Sequence, residues 1–457
     1  MRHLPLTLAA RCAAIAALLT APVVALAAPA SAAAPAAPRA AGGAPVADFD
    51  GDGYADIATT APGKGYAALR YGGPGVRQQT PAAPDQPRTV ARDLDGDGYT
   101  DLVAGTTIRW GSKTGLTATP TAIPASVAFN GLDLTAGDFN GDGHPDLIGG
   151  KTDGEWDELT ILYGPFQRSG TPASASTMST GRTFDPVDTV VGDLTGDGKD
   201  DLVTLHAFEE MSETSQLWKG TASGLSTTST RLPAAASAAI GDVDKDGHQD
   251  LVIRTVPGGI AEELPYDPGT IQVLYGTASG PSTTRTKTLT QNSAGVPGVS
   301  EKGDQFGYRL AAGDVNGDGY ADIVAGVPGE DLTVNGKNVK DAGSVVLLKG
   351  GAGGLSGTGA QAFHQNTAGV PGVAEAGDAF GSAVSLADTN GDGRADLAVG
   401  APGEDTTENG AAAVDSGAVW LLRGVKGGLT ATGGFAFNPG DLGAPAKGAR
   451  LGAAFAR

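Results

Sequence analysis

The chain predicts an all-β, seven-bladed propeller, and three observations carry that reading. A nine-residue acidic loop recurs seven times, short apolar runs recur in a fixed order around each copy, and the C-terminus repeats the opening of a further unit. Self-similarity at periods of a few tens of residues is the mark of a repeat architecture.

The loop is clearest from Asp314 to Asp322, which reads D-V-N-G-D-G-Y-A-D. Asp314, Asn316, Asp318 and Asp322 place oxygen-bearing side chains at positions 1, 3, 5 and 9, with Gly317 and Gly319 between them. Groups spaced in this way cannot all face a core, and as bare charges they repel. Wrapped around a hard cation they form a cage, with the backbone carbonyl of position 7, Tyr320, as a further ligand. Calcium suits such a cage because it accepts about six to eight oxygens in loose geometry. The glycines permit the positive φ angles that so tight a wrap requires.

The other six copies supply the same candidate ligands. They are Asp48, Asp50, Asp52 and Asp56 with the carbonyl of Tyr54, then Asp93, Asp95, Asp97 and Asp101 with that of Tyr99. Asp138, Asn140, Asp142 and Asp146 follow with His144, and Asp193, Thr195, Asp197 and Asp201 with Lys199. The last two are Asp242, Asp244, Asp246 and Asp250 with His248, and Asp388, Asn390, Asp392 and Asp396 with Arg394. Up to seven Ca²⁺ ions follow from this count. The fourth and fifth loops are the weaker candidates: Thr195 offers a neutral hydroxyl, and Lys245 replaces the position-4 glycine. An EF-hand needs a glutamate at position 12 and flanking helices. Position 12 is Thr59 in the first loop and Ala325 in the sixth, each inside an apolar run.

Taken in order, the chain opens with Arg2 and Arg11, an apolar run from Cys12 to Ala28, and Ala30-Ser31-Ala32. That is the layout of a secretory leader, expected over residues 1–32 and implying a secreted, extracellular or cell-surface protein. Residues 33–44 are an Ala/Pro-rich spacer, and the propeller is expected over 45–457. Around each acidic loop one apolar run ends at the first aspartate, one leaves the last, and a third ends in glycine. Examples of the third are L-T-I-L-Y-G from Leu159 and S-V-V-L-L-K-G-G from Ser344. Five units then show a Gly-Leu or Gly-Val pair, such as Gly115-Leu116 and Gly354-Leu355, before a fourth, weaker run. Four short β-rich runs per 45 to 74 residues describe a propeller blade. At the C-terminus K-G-A-R-L-G-A-A-F-A-R, from Lys447, aligns with K-G-D-Q-F-G-Y-R-L-A-A, from Lys302. It supplies the strand that the first unit lacks, so the ring is expected to close at seven blades.

Composition narrows the function. The formal charge is −20, and loss of Arg2 and Arg11 with a leader takes it to −22. Nucleic acid and anionic membranes are poor partners for such a surface. No segment after the leader is apolar enough for stable membrane insertion. Seven Ca²⁺ ions would leave about −8, an ordinary solubility charge. The only cysteine, Cys12, lies in the leader, so the exported chain has no disulfide and calcium is the expected staple. His144 and His248 sit where the backbone is the ligand, leaving only His206 and His364 in the chain after the leader, too scattered for a catalytic triad. With no nucleophile, zinc or phosphate motif either, the expectation is a non-catalytic protein. The loops between second and third strands carry the other acids, among them Glu155, Asp157, Glu158, Glu213, Glu330, Asp331, Glu404 and Asp405. They could form an acidic rim for a cationic partner.

The run F-G-Y-R-L-A-A-G-D-V-N-G-D-G-Y-A-D-I-V-A-G-V-P, from Phe306, resembles an FG-GAP repeat, as does its counterpart from Phe380. The first five units lack the Phe-Gly opening and resemble the shorter VCBS-type version. Over 45–457 the chain resembles the integrin α-subunit N-terminal β-propeller. The resemblance implies calcium loops between the first and second strands on one face, and an adhesion or ligand-recognition role for an extracellular protein or glycan partner. A monomer is the expected state. A lectin-like polysaccharide-binding module, or an extracellular hydrolase resembling the FG-GAP-bearing phospholipases, are the alternatives.

Overall fold

The computed structural model describes residues 47–83, 88–132, 134–183, 185–408 and 410–457. The expected leader and spacer lie outside the described residues.

Six four-stranded antiparallel sheets and one three-stranded sheet follow one another, each ordered as its strands occur in the chain. Blade 3 is representative, with strands Thr135–Gly137, Asp146–Gly150, Glu158–Tyr163 and Ser174–Ser179. The acidic loop joins the first strand to the second. Its register repeats: Gly137 pairs with Asp146, Gly192 with Asp201, Gly241 with Asp250 and Gly313 with Asp322. Among the described residues the helical segments are short 3₁₀ turns such as Pro62–Lys64 and Ala261–Tyr266. Extra two-stranded hairpins, Leu332–Val334 with Lys337–Val339 and Thr406–Glu408 with Ala411–Ala413, cap blades 6 and 7 opposite the acidic loops.

The apolar runs do not alternate with polar residues, because both faces of each blade are covered. Successive side chains of a strand point to opposite faces. In the second strand of blade 6, Ile323, Ala325 and Val327 pack against blade 5, while Val324 packs against blade 7. In the third strand Val346 and Leu348 face one way, and Val345 and Leu347 the other. The core is accordingly a ring of seven clusters, one at each interface between neighbouring blades. That arrangement is a closed seven-bladed propeller.

The Gly-Leu pairs mark contacts between blades. Gly354 has φ +74°, and a Cβ there would lie 1.9 Å from the hydroxyl of Tyr275 in blade 5. In the same way the backbone N–H of Leu116 donates to the Tyr71 hydroxyl at 3.3 Å.

Blade 1 completes itself with the other end of the chain. Its own strands are Ile57–Ala61, Tyr66–Arg70 and Gln78–Gln79. Phe455 bridges antiparallel to Thr59, and the N–H of Ala456 donates to the Ala58 carbonyl at 2.9 Å. Ala47 continues the same line, accepting from the N–H of Asp56 at 2.6 Å. On its other edge the C-terminal segment also joins blade 2: Arg457 N–H donates to the Thr89 carbonyl and Ala91 N–H to the Arg457 carbonyl. Leu451 and Phe455 are buried in the cluster between blades 7 and 1. The Arg457 guanidinium pairs with Asp188 at the start of the inner strand of blade 4, Asp188–Gly192. Burial of Asp188 would raise its pKa, but Arg457, with Arg309 and Arg88 beyond, holds it well below the usual carboxylate range.

Candidate metal centres

The seven loops share one internal geometry. The position-1 carboxylate accepts backbone N–H groups from both later corners of its own turn. Asp48 takes Asp52 N at 3.1 Å on Oδ1 and Gly53 N at 2.9 Å on Oδ2. The Oδ2 bond recurs at 2.8–3.0 Å in Asp93, Asp138, Asp193, Asp242, Asp314 and Asp388. The N–H of each position-7 residue donates to the position-5 carboxylate. Tyr54, Tyr99, His144, Lys199, His248, Tyr320 and Arg394 do so at 2.9–3.1 Å. Backbone dipoles therefore hold the carboxylates in place while leaving lone pairs unused.

Position 9 does more than the sequence suggests. Asp56, Asp101, Asp146, Asp201, Asp250, Asp322 and Asp396 are all buried. One oxygen of each accepts the N–H of the glycine that ends the third strand: Gly72, Gly111, Gly164, Gly220, Gly276, Gly350 or Gly424, at 2.6–3.0 Å. In most loops the other oxygen accepts the N–H of position 2, as in Phe49 to Asp56 at 2.7 Å. This aspartate straps the loop to the blade. The recurrent terminal glycine was the visible signal for it.

Position 3 bears on whether a cation fits. The Oδ1 atoms of Asp95 and Asp244 are buried without any hydrogen-bond partner. A buried acceptor left unpaired is costly, and in each case it lies inside the acidic loop. Carboxylate oxygens of Asp48, Asp50 and Asp56 lie within 4.8 Å of one another, as do those of Asp93, Asp95 and Asp101, and of Asp242, Asp244 and Asp246. Calcium–oxygen bonds of about 2.3–2.6 Å place opposed ligands about that far apart. The donors are hard oxygens, and the residues fit a hard divalent cation. The third, fourth, sixth and seventh loops have Asn140, Thr195, Asn316 and Asn390 at position 3, and so one carboxylate fewer.

Neighbouring loops touch. The position-8 N–H donates to the position-1 carbonyl of the preceding blade: Thr100 to Asp48, Asp200 to Asp138, Ala321 to Asp242, Ala395 to Asp314, and Ala55 to Asp388 across the seam, at 2.8–3.0 Å. Five of the seven loops make this bond; the third cannot, because Pro145 has no N–H to give, and at the fifth Gln249 does not make it. Position-7 side chains reach along the ring. A Cβ on Gly51, at φ +69°, would lie 2.7 Å from the Tyr99 ring. Lys245, left-handed at φ +58°, takes the glycine's place by lying over Tyr320, its Nζ 5.3 Å from the ring centroid.

The carboxyls of Asp56, Asp101, Asp146 and Asp322 are pushed up to about 7, and those of Asp201 and Asp250 to about 6. Burial is the main cause, neighbouring loop carboxylates add to it, and the backbone N–H donors oppose it. Burial also raises Glu330 and Glu404 to about 7 on the opposite face. A carboxyl whose folded pKa exceeds its unfolded value near ~3.9 stabilises the fold fully below that value, and the contribution is lost as pH rises through the folded pKa. In EDTA the protein should therefore melt several degrees higher at about pH 5 than at about pH 8. Thermal melts across that window check it, and a melting temperature that drops on acidification contradicts it.

The acids between second and third strands act chiefly as loop ties. Glu158 pairs with Lys151 at 2.9 Å, Glu330 accepts from Gln291 at 2.8 Å, and Asp331 and Asp405 accept the N–H groups of Asp341 and Asp415. His206 is buried, with its Nε2 2.9 Å from the Thr204 hydroxyl. Among the described residues no helix is long and apolar enough to cross a membrane.

The FG-GAP repeat profile matches residues 40–75, 306–348 and 380–422, and the FG-GAP-like repeat profile matches 93–149. Integrin alpha pat-2 of Caenorhabditis briggsae is 31% identical over 232 residues, 47% of this chain and 17% of that protein. Integrin alpha-PS2 of Drosophila melanogaster is 37% identical over 102 residues, 22% and 7% of the two. Integrin alpha-E of Mus musculus is 30% identical over 161 residues, 35% and 12% of the two. The chain thus spans less than a fifth of the length of these relatives. Among solved structures, the Vibrio cholerae biofilm matrix protein Bap1 aligns over 86% of this chain and 79% of its own, at 14% identity and a TM-score of 0.33. The Photorhabdus luminescens Tc holotoxin pore aligns over 85% and 20%, at 15% identity and a TM-score of 0.36. The chain carries FG-GAP and FG-GAP-like repeats, and it resembles the integrin α propeller.

Proposed function

We propose that this chain is an exported, calcium-stabilised recognition propeller that binds an extracellular protein or glycan and catalyses no reaction. The observation that carries the reading is the ring of seven acidic loops on one face, with buried position-3 oxygens left free inside two of them. Side-chain oxygens at positions 1, 3, 5 and 9, with the position-7 carbonyl, would hold each ion. Bound calcium supplies positive charge that neutralises the loop carboxylates. The likeness to integrin α chains supports a role in adhesion or ligand recognition. In this reading residues 1–32 are the leader, 33–44 the spacer and 45–457 the propeller.

The ligand surface is then the opposite face. A cleft of about 490 Å³ opens there, lined among others by Tyr266, Lys302, Tyr308, Asp331 and Lys340. Tyr266 is 63% exposed, and the Lys302 Nζ lies 5.2 Å from its ring centroid. An exposed ring among charged side chains suits a sugar face or a peptide. Glycan and protein arrays probed with the full chain, with and without calcium, test the reading. Binding that needs calcium and weakens about tenfold in Tyr266→Ala is the expected result. A ligand that ignores Tyr266 and is blocked by changes on the loop face would place recognition elsewhere.

A further inference from the structure

Position 3 of the acidic loops comes in two kinds. It is uncharged in four, as Asn140, Thr195, Asn316 and Asn390, and a carboxylate in three, as Asp50, Asp95 and Asp244. Each of the three carboxylates, side chains 6–10% exposed, is met by an arginine: Arg77, Arg168 or Arg285. The arginines are fixed from the other side by aromatic rings at the ends of third strands. Their Cζ atoms lie 4.1 Å from the centroid of Tyr71, 5.1 Å from Trp110 and 4.6 Å from Tyr275. In the second and fifth loops the same guanidinium also reaches position 5, pairing with Asp97 and, at 3.0 Å, with Asp246. It takes Oδ2 of Asp95 and Asp244 and leaves Oδ1 of each buried and unpaired.

Sequence spacing does not explain this match. Arg77 and Arg285 come from the same blade as the loop they meet, whereas Arg168 belongs to blade 3 and reaches the loop of blade 2. What the three share is the charge they answer. A loop with aspartate at positions 1, 3, 5 and 9 carries one more negative charge than a loop with asparagine or threonine at position 3. Without a cation that charge repels itself at short range. The arginines are 42–49% exposed at the loop mouths, close enough to neutralise and open enough to leave the cage accessible.

Resting on the cation-binding reading of the loops, we infer that Arg77, Arg168 and Arg285 are resident counter-cations, which hold the four-carboxylate loops closed before a divalent ion arrives and lower the affinity for that ion. They are positioning residues as well, since an arginine on Oδ2 aims Oδ1 into the cage. Position 3 consequently never presents an uncompensated charge; in the seventh loop, where position 3 is Asn390, an arginine is present too, but Arg423 pairs at 2.6 Å with the position-9 carboxylate of Asp396.

The test uses the full chain with Arg168→Gln and Arg285→Gln, melted in EDTA and in millimolar calcium. Each variant should melt several degrees below wild type in EDTA and level with it in calcium, with the midpoint of a calcium titration at a several-fold lower concentration. Asn140→Asp adds a fourth carboxylate to a loop without an arginine, leaves the stacked rings untouched, and should shift the same way. An equal loss in both media would mean that the arginines act by packing alone, and no loss in EDTA would mean that they compensate nothing. Either overturns the inference and leaves the calcium reading standing. If wild type itself melts identically in EDTA and calcium, the cation reading fails and takes this inference with it.

Discussion

In millimolar calcium the protein should melt far above its temperature in EDTA. A ligand that binds only the folded state at a hundred times its dissociation constant adds about 2.7 kcal/mol per site. A few occupied loops would then match the ~5–15 kcal/mol that holds an ordinary domain together. The loops are also linked, since position-8 N–H groups bond to the loop of the preceding blade, including Ala55 to Asp388 across the seam. Loss of ions should therefore loosen the ring as a whole, in one broadened transition. Calorimetry with and without chelator measures the effect, and coincident melts would refute calcium as the staple. The same ions should reverse the pH trend: calcium requires ionised carboxylates, so its protection belongs to neutral pH and fades as acid protonates the loops.

Removing residues 450–457 should be as damaging as removing the ions. The deletion takes away Leu451, fully buried, and Phe455, 8% exposed, from the interface of blades 7 and 1. Burying one such side chain is worth about 1.5–3 kcal/mol. It also removes the backbone partners of Ala58, Thr60 and Thr89 and leaves blade 1 with three strands. Finally it strands Asp188, 4% exposed, without Arg457. Breaking a buried ion pair from one side costs about 3–5 kcal/mol, here reduced because Arg88 remains 3.7 Å from Asp188. The truncated chain should fail to fold at 37 °C or melt at least 15 °C lower. A point variant separates the causes: Arg457→Ala should destabilise, and adding Asp188→Asn should restore part of the loss by removing the isolated charge. Unchanged melting of the truncated chain would show that the seam contributes nothing.

Much of this was legible in the residues themselves. Each acidic loop is nine consecutive residues, and its turn is made by local contacts: position 1 accepts from positions 5 and 6, and position 5 from position 7. Physics confined to one loop repeats wherever the loop repeats, so seven copies announce seven blades. Glycine at the end of each third strand, and before the leucine of the fourth, was visible as a pattern but not as a cause. The cause is another chain segment arriving there, the position-9 carboxylate at Gly72 and its equivalents, and the Tyr275 hydroxyl at Gly354. The acidic loops between second and third strands read as a possible rim for a partner. The structure ties several of those carboxylates to a lysine and backbone N–H groups of their own loops, and Glu330 to Gln291 of the neighbouring blade.

The sequence alone determined the all-β class, the blade number and the candidate ligands, because a strand's periodicity and a cation loop's spacing are properties of short contiguous segments. Tertiary structure decided which carboxylates are neutralised by arginine, which are straps, and how Asp188 is paired. Those outcomes depend on charges and rings that lie dozens to hundreds of residues away, such as Arg168 over Asp95 and Arg457 on Asp188. Electrostatic interactions act through space and depend on burial, so only the closed ring brings these partners within reach of each other.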